Sequence, residues 1–165
     1  MRVGIALGSN LGDRLANLRA ARQAIAGLIG AKSQMVSSVY ETEPVGCEPG
    51  AAKFLNAVLE AEFDGDPTEL LDELIRVEES LGRDRDHTRN VSRKIDIDLL
   101  YLDDFNVQNE RLQLPHPRMQ LRRFVLQPLA DIRPDLVLPN QTRTVSELLA
   151  QAEDSTKVTC FSEKW

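Results

Sequence analysis

Residues 34–63 read "QMVSSVYETEPVGCEPGAAKFLNAVLEAEF", and the fold turns on whether a helix lies inside them. Residues 34–45 predict a strand that runs into a Pro- and Gly-bearing loop at 46–53. Residues 54–63 then carry Leu55, Ala57, Leu59, Ala61 and Phe63 at period two, which predicts another strand with those side chains on one face. Two strands in succession with only a loop between them make an antiparallel hairpin; a parallel pair needs a crossover helix. A doubly wound sheet is therefore the weaker reading.

Working outward, residues 2–7 are a short apolar run closed by Gly8, the pattern of a central first strand. "GSNLGD" follows as a turn with Asn10 or Asp13 as helix N-cap, and Leu15, Leu18, Ala21, Ile25 and Leu28 recur at helical spacing up to Gly30. On the other side, Asp66-Pro67-Thr68-Glu69 joins a capping acid, a proline at the first helical position and a glutamate three residues on. Leu70, Leu71, Leu74, Val77 and Leu81 supply that helix's buried stripe, and Gly82 ends it. Residues 83–94 are arginine-rich, polar and without period, hence a loop; residues 93–102, "RKIDIDLLYL", are a strand. Residues 106–116 hold one more short strand, residues 122–132 a helix interrupted or ended at Pro128, and Thr144 to Glu147 a second capping box opening a last helix. The order β, α, β, β, α, β predicts an α+β protein: a ferredoxin-like sandwich with a mostly antiparallel sheet.

The length of 165 residues fits a single domain over 1–165. Apolar content of 42% suffices for a core, and a net charge of −6 argues against nucleic acid or an anionic membrane as partner. Cys47 and Cys160, the two cysteines, read as free thiols of a reducing cytosol. With neither a secretory leader nor a membrane-spanning run, the expected location is cytoplasmic.

The strand at 93–102 puts Ile95, Ile97, Leu99 and Tyr101 in a core, yet interleaves Asp96 and Asp98. Side chains two apart on a strand share a face, roughly 6–7 Å apart at the backbone. Two hard carboxylates that close suit Mg²⁺, which takes one or two carboxylates plus substrate phosphates. Immediately upstream lie Arg83, Arg85, Arg89, Arg93 and Lys94, cations of the kind that clamp phosphate oxygens. On the residues alone, a half-exposed polar strand face beside a solvated basic loop remains the alternative. A P-loop and a dinucleotide-binding glycine motif are both missing. His87 and His116 are too sparse for zinc.

Taken in order, "ALGSNLGDR", "SSVYETEPVG", "FLNAV", "IRVEESLGRDR", "SRKIDIDLLYL", "LPHPRM" and "RRFVLQPLADIRPDLVLP" closely resemble the 6-hydroxymethyl-7,8-dihydropterin pyrophosphokinase family of folate biosynthesis, over nearly the whole chain. The resemblance implies a ferredoxin-like α/β/α fold and an enzyme that transfers pyrophosphate from ATP, its co-substrate, to the pterin's hydroxymethyl group, releasing AMP. It implies two Mg²⁺ ions on Asp96 and Asp98, with Arg83 and Arg93 acting on the phosphates. Glu78, Arg85, Arg93, Arg111 and His116 would face ATP. Phe54 and Phe124 would stack on the pterin, Asn56 would read its edge, and Thr42, Pro44, Val45 and Asp96 would complete its surroundings. A monomer is expected. The chain departs from the family where Asn90-Val91-Ser92-Arg93-Lys94 replaces a stretch close to Trp-Gly-Pro-Arg-Thr, and where Ile75 replaces a common glutamine. A paralogue that binds pterin or nucleotide with weak or no turnover is the alternative this departure leaves open.

Overall fold

A computed structural model describes residues 1–29, 34–44, 49–82, 92–103 and 105–165. Strand β1 (Arg2–Ser9) leads into helix α1 (Arg14–Ile29), followed by β2 (Met35–Val36), β3 (Val39–Thr42) and β4 (Phe54–Glu62). Then come α2 (Pro67–Ser80), β5 (Asp96–Leu102), the short hairpin β6 (Val107–Gln108) and β7 (Gln113–Leu114), and a 3₁₀ turn (Met119–Leu121). Helices α3 (Arg123–Ile132) and α4 (Val145–Gln151) and strand β8 (Val158–Ser162) complete the chain.

The main sheet runs β5-β1-β4-β3-β8, with β2 also on β4, and every described pairing is antiparallel. With β2 and β3 counted as one strand, β1 and β4 are the first and third of the βαββαβ order and lie side by side inside the sheet, so the expected ferredoxin-like sandwich is what forms. One face, through Val3, Ile5, Leu7, Leu59 and Leu99, packs on Leu18, Ala21 and Ile25 of α1 and Leu70, Leu74 and Val77 of α2. The other face, through Val58, Leu100 and Tyr101, packs on Val125, Leu126 and Leu129 of α3 and Val145 of α4. Leu28, expected in the buried stripe of α1, is exposed. Among the described residues no helix is long and apolar enough to cross a membrane.

Local chemistry sets the boundaries. Asp13 caps α1, its Oδ1 accepting from the Ala16 N–H at 3.0 Å, which frees Asn10 for another task. Asp66 caps α2 by accepting from Thr68 and Glu69 N–H at 2.8 and 3.0 Å, and these bonds hold its carboxyl below the usual range. Thr144 and Glu147 form the reciprocal capping box of α4.

Four expectations change. The single strand at 34–45 is two, because the register against β4 slips by one residue between Val36 opposite Leu59 and Tyr40 opposite Asn56. Ser37 occupies the bulge, its N–H bonding Val58 O and its Oγ accepting from Val58 N–H, both at 2.9 Å. Strand β5 is bulged as well: Gly4 faces Tyr101 but Ile5 faces Leu99, leaving Leu100 without a β1 partner. The bulge turns Tyr101 away from the Ile95, Ile97 and Leu99 cluster and into the cluster under α3. Helix α3 neither stops nor breaks at Pro128; the proline forgoes one main-chain bond, and burial of Val125, Leu126, Pro128 and Leu129 holds the helix across it. Finally, residues 106–116 hold two strands rather than one, and β8 closes a sheet edge no sequence pattern announced. Cys160 on β8 is an exposed free thiol; Cys47 lies outside the described residues.

Candidate active site

Where β1, β4 and β5 run side by side, register alone assembles a polar floor. Gly8 pairs with Asn56 on one side and Asp96 on the other, while Ala6 pairs with Val58 and Asp98. A Cβ on Gly8 would stand 3.3 Å from Asn56 Oδ1, 3.8 Å from Asp96 Cβ and 3.9 Å from Phe54 Cδ1. Glycine is thus what keeps the floor open. Above it lies a cavity of about 260 Å³ bounded by Gly8, Thr42, Glu43, Phe54, Asn56, Arg93, Asp96, Asp98, Leu121, Arg122, Phe124 and Asp154.

Both aspartates therefore face the same space, as the strand period required, and two aromatic rings share it with them. Arg93 Nη1 bonds Asp96 Oδ1 at 2.9 Å. The backbone under Arg93 is clamped by Asn10, 1% exposed. Asn10 Oδ1 accepts from the Arg93 N–H at 2.7 Å and its own N–H donates to Arg93 O at 3.1 Å. Its Nδ2 donates to Ala52 O at 3.2 Å and Ser92 Oγ at 3.0 Å, so one buried amide ties three loops together. Asn56 is likewise oriented: Nδ2 donates to Thr42 Oγ1 at 2.8 Å, leaving its carbonyl oxygen as the group near Gly8.

Glu78 is buried on the helix side of β5, where Oε1 accepts from the Ile97 N–H at 2.6 Å, between the two aspartates. It supports the strand and does not line the cavity. His116 is carried by the β5 bulge, its N–H bonding Leu100 O at 2.7 Å. Its Nδ1 accepts from the Arg118 N–H at 3.2 Å, which puts the proton of the neutral ring on Nε2. Burial, then the Arg122 and Arg118 charges, push its pKa below 6.5. Arg122, half-buried, sits 5.4 Å from the Phe124 ring centroid. Burial and Arg118 lower its pKa, while Asp98 and Asp96 act the other way.

Of the residues singled out from sequence, Thr42, Phe54, Asn56, Arg93, Asp96, Asp98 and Phe124 line this one cavity. Pro44 is half-buried beside the lining residue Glu43 without lining the cavity itself. Arg111 is exposed and pairs with Asp72 of α2 instead. Val45, Arg83 and Arg85, with Arg89, Asn90 and Val91, lie outside the described residues. Gly8, Glu43, Leu121, Arg122 and Asp154 were not singled out. Gly8 had a signal in the turn that follows β1 and Arg122 one in its arginine pair, whereas Asp154 arrives from a distant segment with none.

The two carboxylates are the hard oxygen donors a small divalent cation takes when substrate phosphates complete its shell. Among the described residues no group of three or more His, Cys, Asp or Glu side chains could hold an ion alone. The site therefore fits a metal that arrives with a phosphate ligand.

Known proteins resemble this chain over most of its length. The curated 2-amino-4-hydroxy-6-hydroxymethyldihydropteridine pyrophosphokinase of Haemophilus influenzae is 41% identical over 150 residues, covering 91% of this chain and 92% of that protein. The Bacillus subtilis protein of the same name is 44% identical over 128 residues, 78% of this chain and 75% of that one. In fold, the chain is similar to the HPPK-DHPS of Plasmodium falciparum, with a TM-score of 0.69 at 16% identity over 90% of this chain; it spans 42% of the length of that longer protein. The profile of the 7,8-dihydro-6-hydroxymethylpterin-pyrophosphokinase (HPPK) family matches residues 4–134, and the chain belongs to that family.

Proposed function

We propose that this chain transfers pyrophosphate from ATP to the hydroxymethyl group of 6-hydroxymethyl-7,8-dihydropterin, giving AMP and the pterin pyrophosphate for folate biosynthesis. One observation carries the reading: two carboxylates and two aromatic rings open into the same cavity, an ion-and-phosphate half beside a flat-heterocycle half. The pterin hydroxyl oxygen attacks the β-phosphorus, the bridge between the α- and β-phosphorus breaks, and AMP departs with the bridging oxygen. The protein's share is positioning and charge neutralisation, as in other phosphoryl transfers.

In this assignment Phe54 and Phe124 sandwich the pterin. The Asn56 carbonyl, oriented by its bond to Thr42, accepts from the ring's N–H edge. Thr42, Pro44 and Val45 enclose that ring. Asp96 and Asp98 would hold magnesium, two ions in our assignment, and these ions supply charge neutralisation along the triphosphate when bound. Asp98 is the base assigned to the hydroxyl proton, and Asp96 also borders the pterin. Arg93, held by Asn10 and paired with Asp96, reaches the phosphates once a nucleotide competes for it. Arg83 and Arg85 add positive charge on that side, joined by Arg111 once a nucleotide draws it from Asp72, with His116 on the nucleotide flank and Glu78 acting there through its hold on β5. We assign the whole of residues 1–165 to one such domain, working as a cytoplasmic monomer without nucleic acid or membrane as partner.

The experiment is direct. Purified protein with ATP, Mg²⁺ and the pterin should release AMP only when the pterin is present. Saturable pterin binding without AMP would instead mark a binding paralogue. Titrating Mg²⁺ at fixed ATP should give a dependence steeper than one ion, and sedimentation should return the monomer mass.

A further inference from the structure

Helix α3 lacks a cap of its own. Arg122, its N-cap residue, makes no side-chain capping bond. The first N–H of the helix, on Arg123, is instead taken by Asp154 Oδ2 at 2.9 Å, from 31 residues further along the chain. Asp154 Oδ1 accepts from the Thr156 N–H at 2.9 Å and from the Thr156 hydroxyl, so both oxygens are engaged and the carboxylate's direction is fixed. The same side chain lines the cavity. The residues on either side of Arg123 are Arg122 and Phe124, and both of those line the cavity too. Burial would raise the Asp154 pKa, but the Thr156 hydroxyl, then the two N–H bonds and the Arg123 charge, outweigh it and hold the carboxyl below its usual range, so it stays charged at the positive end of α3.

We propose that Asp154 is the positioning residue of the pterin half of the site: a cap supplied from the segment after α4 that sets the first turn of α3, and with it the Phe124 ring and the Arg122 guanidinium. The proposal rests on the pterin reading given above. An uncapped first turn frays first, because its N–H groups have no partner within the helix. Phe124 is the second residue of that turn, so fraying displaces a stacking ring whose geometry must hold to about 1 Å. The ATP half rests instead on β5 and on the bonds between Asn10 and Arg93.

The test compares the full chain with Asp154→Ala, Asp154→Asn and Thr156→Val, reading KM for each substrate, equilibrium pterin binding, melting temperature and amide exchange. Asp154→Ala should raise the pterin KM and dissociation constant about tenfold, equivalent to about 1.4 kcal/mol, with the ATP KM within about twofold. Exchange should accelerate at the amides of Arg123 and its neighbours in the first turn. Asp154→Asn retains one acceptor and should fall between, and Thr156→Val should shift the pterin constant in the same direction by less. These two carry the test if the alanine variant does not fold. Pterin and ATP constants that move together, or neither moving while the first turn exchanges as before, would overturn the proposal. A wild-type chain that binds pterin but releases no AMP would overturn the transfer reading alone. One that binds no pterin would overturn both.

Discussion

At the scale of single residues, the site separates side chains that touch substrate from those that hold them. In the proposed assignment Asp98 is of the first kind: it lines the cavity from β5, opposite Ala6 of β1. Asp98→Ala should therefore cost at least about a hundredfold in AMP production, the scale on which a single preorganised charge contributes, while melting temperature holds. Near-normal turnover would mean the ion binds elsewhere. His116 offers a sharper electrostatic check. Its folded pKa lies below 6.5, for burial first and then for the adjacent Arg122 and Arg118. The unfolded chain thus takes up the proton first as pH falls, so the stabilisation is complete above 6.5 and is lost as pH drops through the lowered folded value. In a His87→Asn background a single imidazole remains, and its NMR titration should have a midpoint below 6.5. Between pH 7 and 5 the wild type should lose more stability than His116→Asn; equal losses would remove the burial argument.

At the scale of elements, capping and register decide where chemistry lands. Helix α2 carries Glu78, which holds the Ile97 N–H between the two aspartates, so the start of α2 and strand β5 are linked through one helix. Asp66→Ala removes the cap and should cost about 1 kcal/mol. For a chain this size that is a drop of about 2–4 °C in melting temperature. Because Glu78 sits in the packed last turns, with Leu74 and Val77 buried beside it, AMP production at 25 °C should be unchanged. A loss of activity larger than the loss of stability would show that the cap reaches the site. What sequence made legible follows the same divide. Asp66-Pro67-Thr68-Glu69 and Thr144 to Glu147 are local signals, since donor and acceptor lie within four residues of each other, and both caps form. The period-two placing of Asp96 and Asp98 was local as well. The bulges at Ser37 and Leu100 were not, because each is a mismatch of count between two strands far apart in the chain. Strand β8 depends on an edge of β3 and on Trp165 Nε1 reaching Ser37 O at 2.8 Å, contacts absent from its own composition. Gly8, Arg122 and Asp154 escaped for the same reason: their roles exist only once distant strands and segments meet.

At the scale of the molecule, the sheet carries chemistry at one end and a clamp at the other. Strand β4 shows both: Phe54 and Asn56 line the cavity, and six residues beyond Phe54 lies Glu60, 3% exposed. Glu60 receives Arg133 Nη1 at 2.8 Å from the C-terminal end of α3 and the Tyr101 hydroxyl at 2.5 Å from β5. Burial and then Glu60 push the Tyr101 phenol well above its usual range, so it acts as donor throughout. Its ring lies across Gly4, where a Cβ would come within 2.1 Å of Tyr101 Cε1, so the bulge, the glycine and the tyrosine form one unit. A helix, the central strand and the edge strand are thus joined by one buried carboxylate. Removing one partner of such a pair leaves an uncompensated charge and costs about 3–5 kcal/mol, whereas replacing both can be nearly neutral. Arg133→Met should therefore lower stability by about 3 kcal/mol, measured by urea unfolding. Glu60→Gln added to it should recover a large part, because the amide still accepts from Tyr101 and carries no charge to bury. Since the clamp and the cavity sit at opposite ends of β4, both variants should keep wild-type KM values for ATP and pterin at temperatures where they are folded. Additive losses in the double variant would mean that Glu60 is held by water or by residues other than Arg133. A changed pterin KM would mean that α3 transmits strain from its C-terminal end to Phe124 at its start.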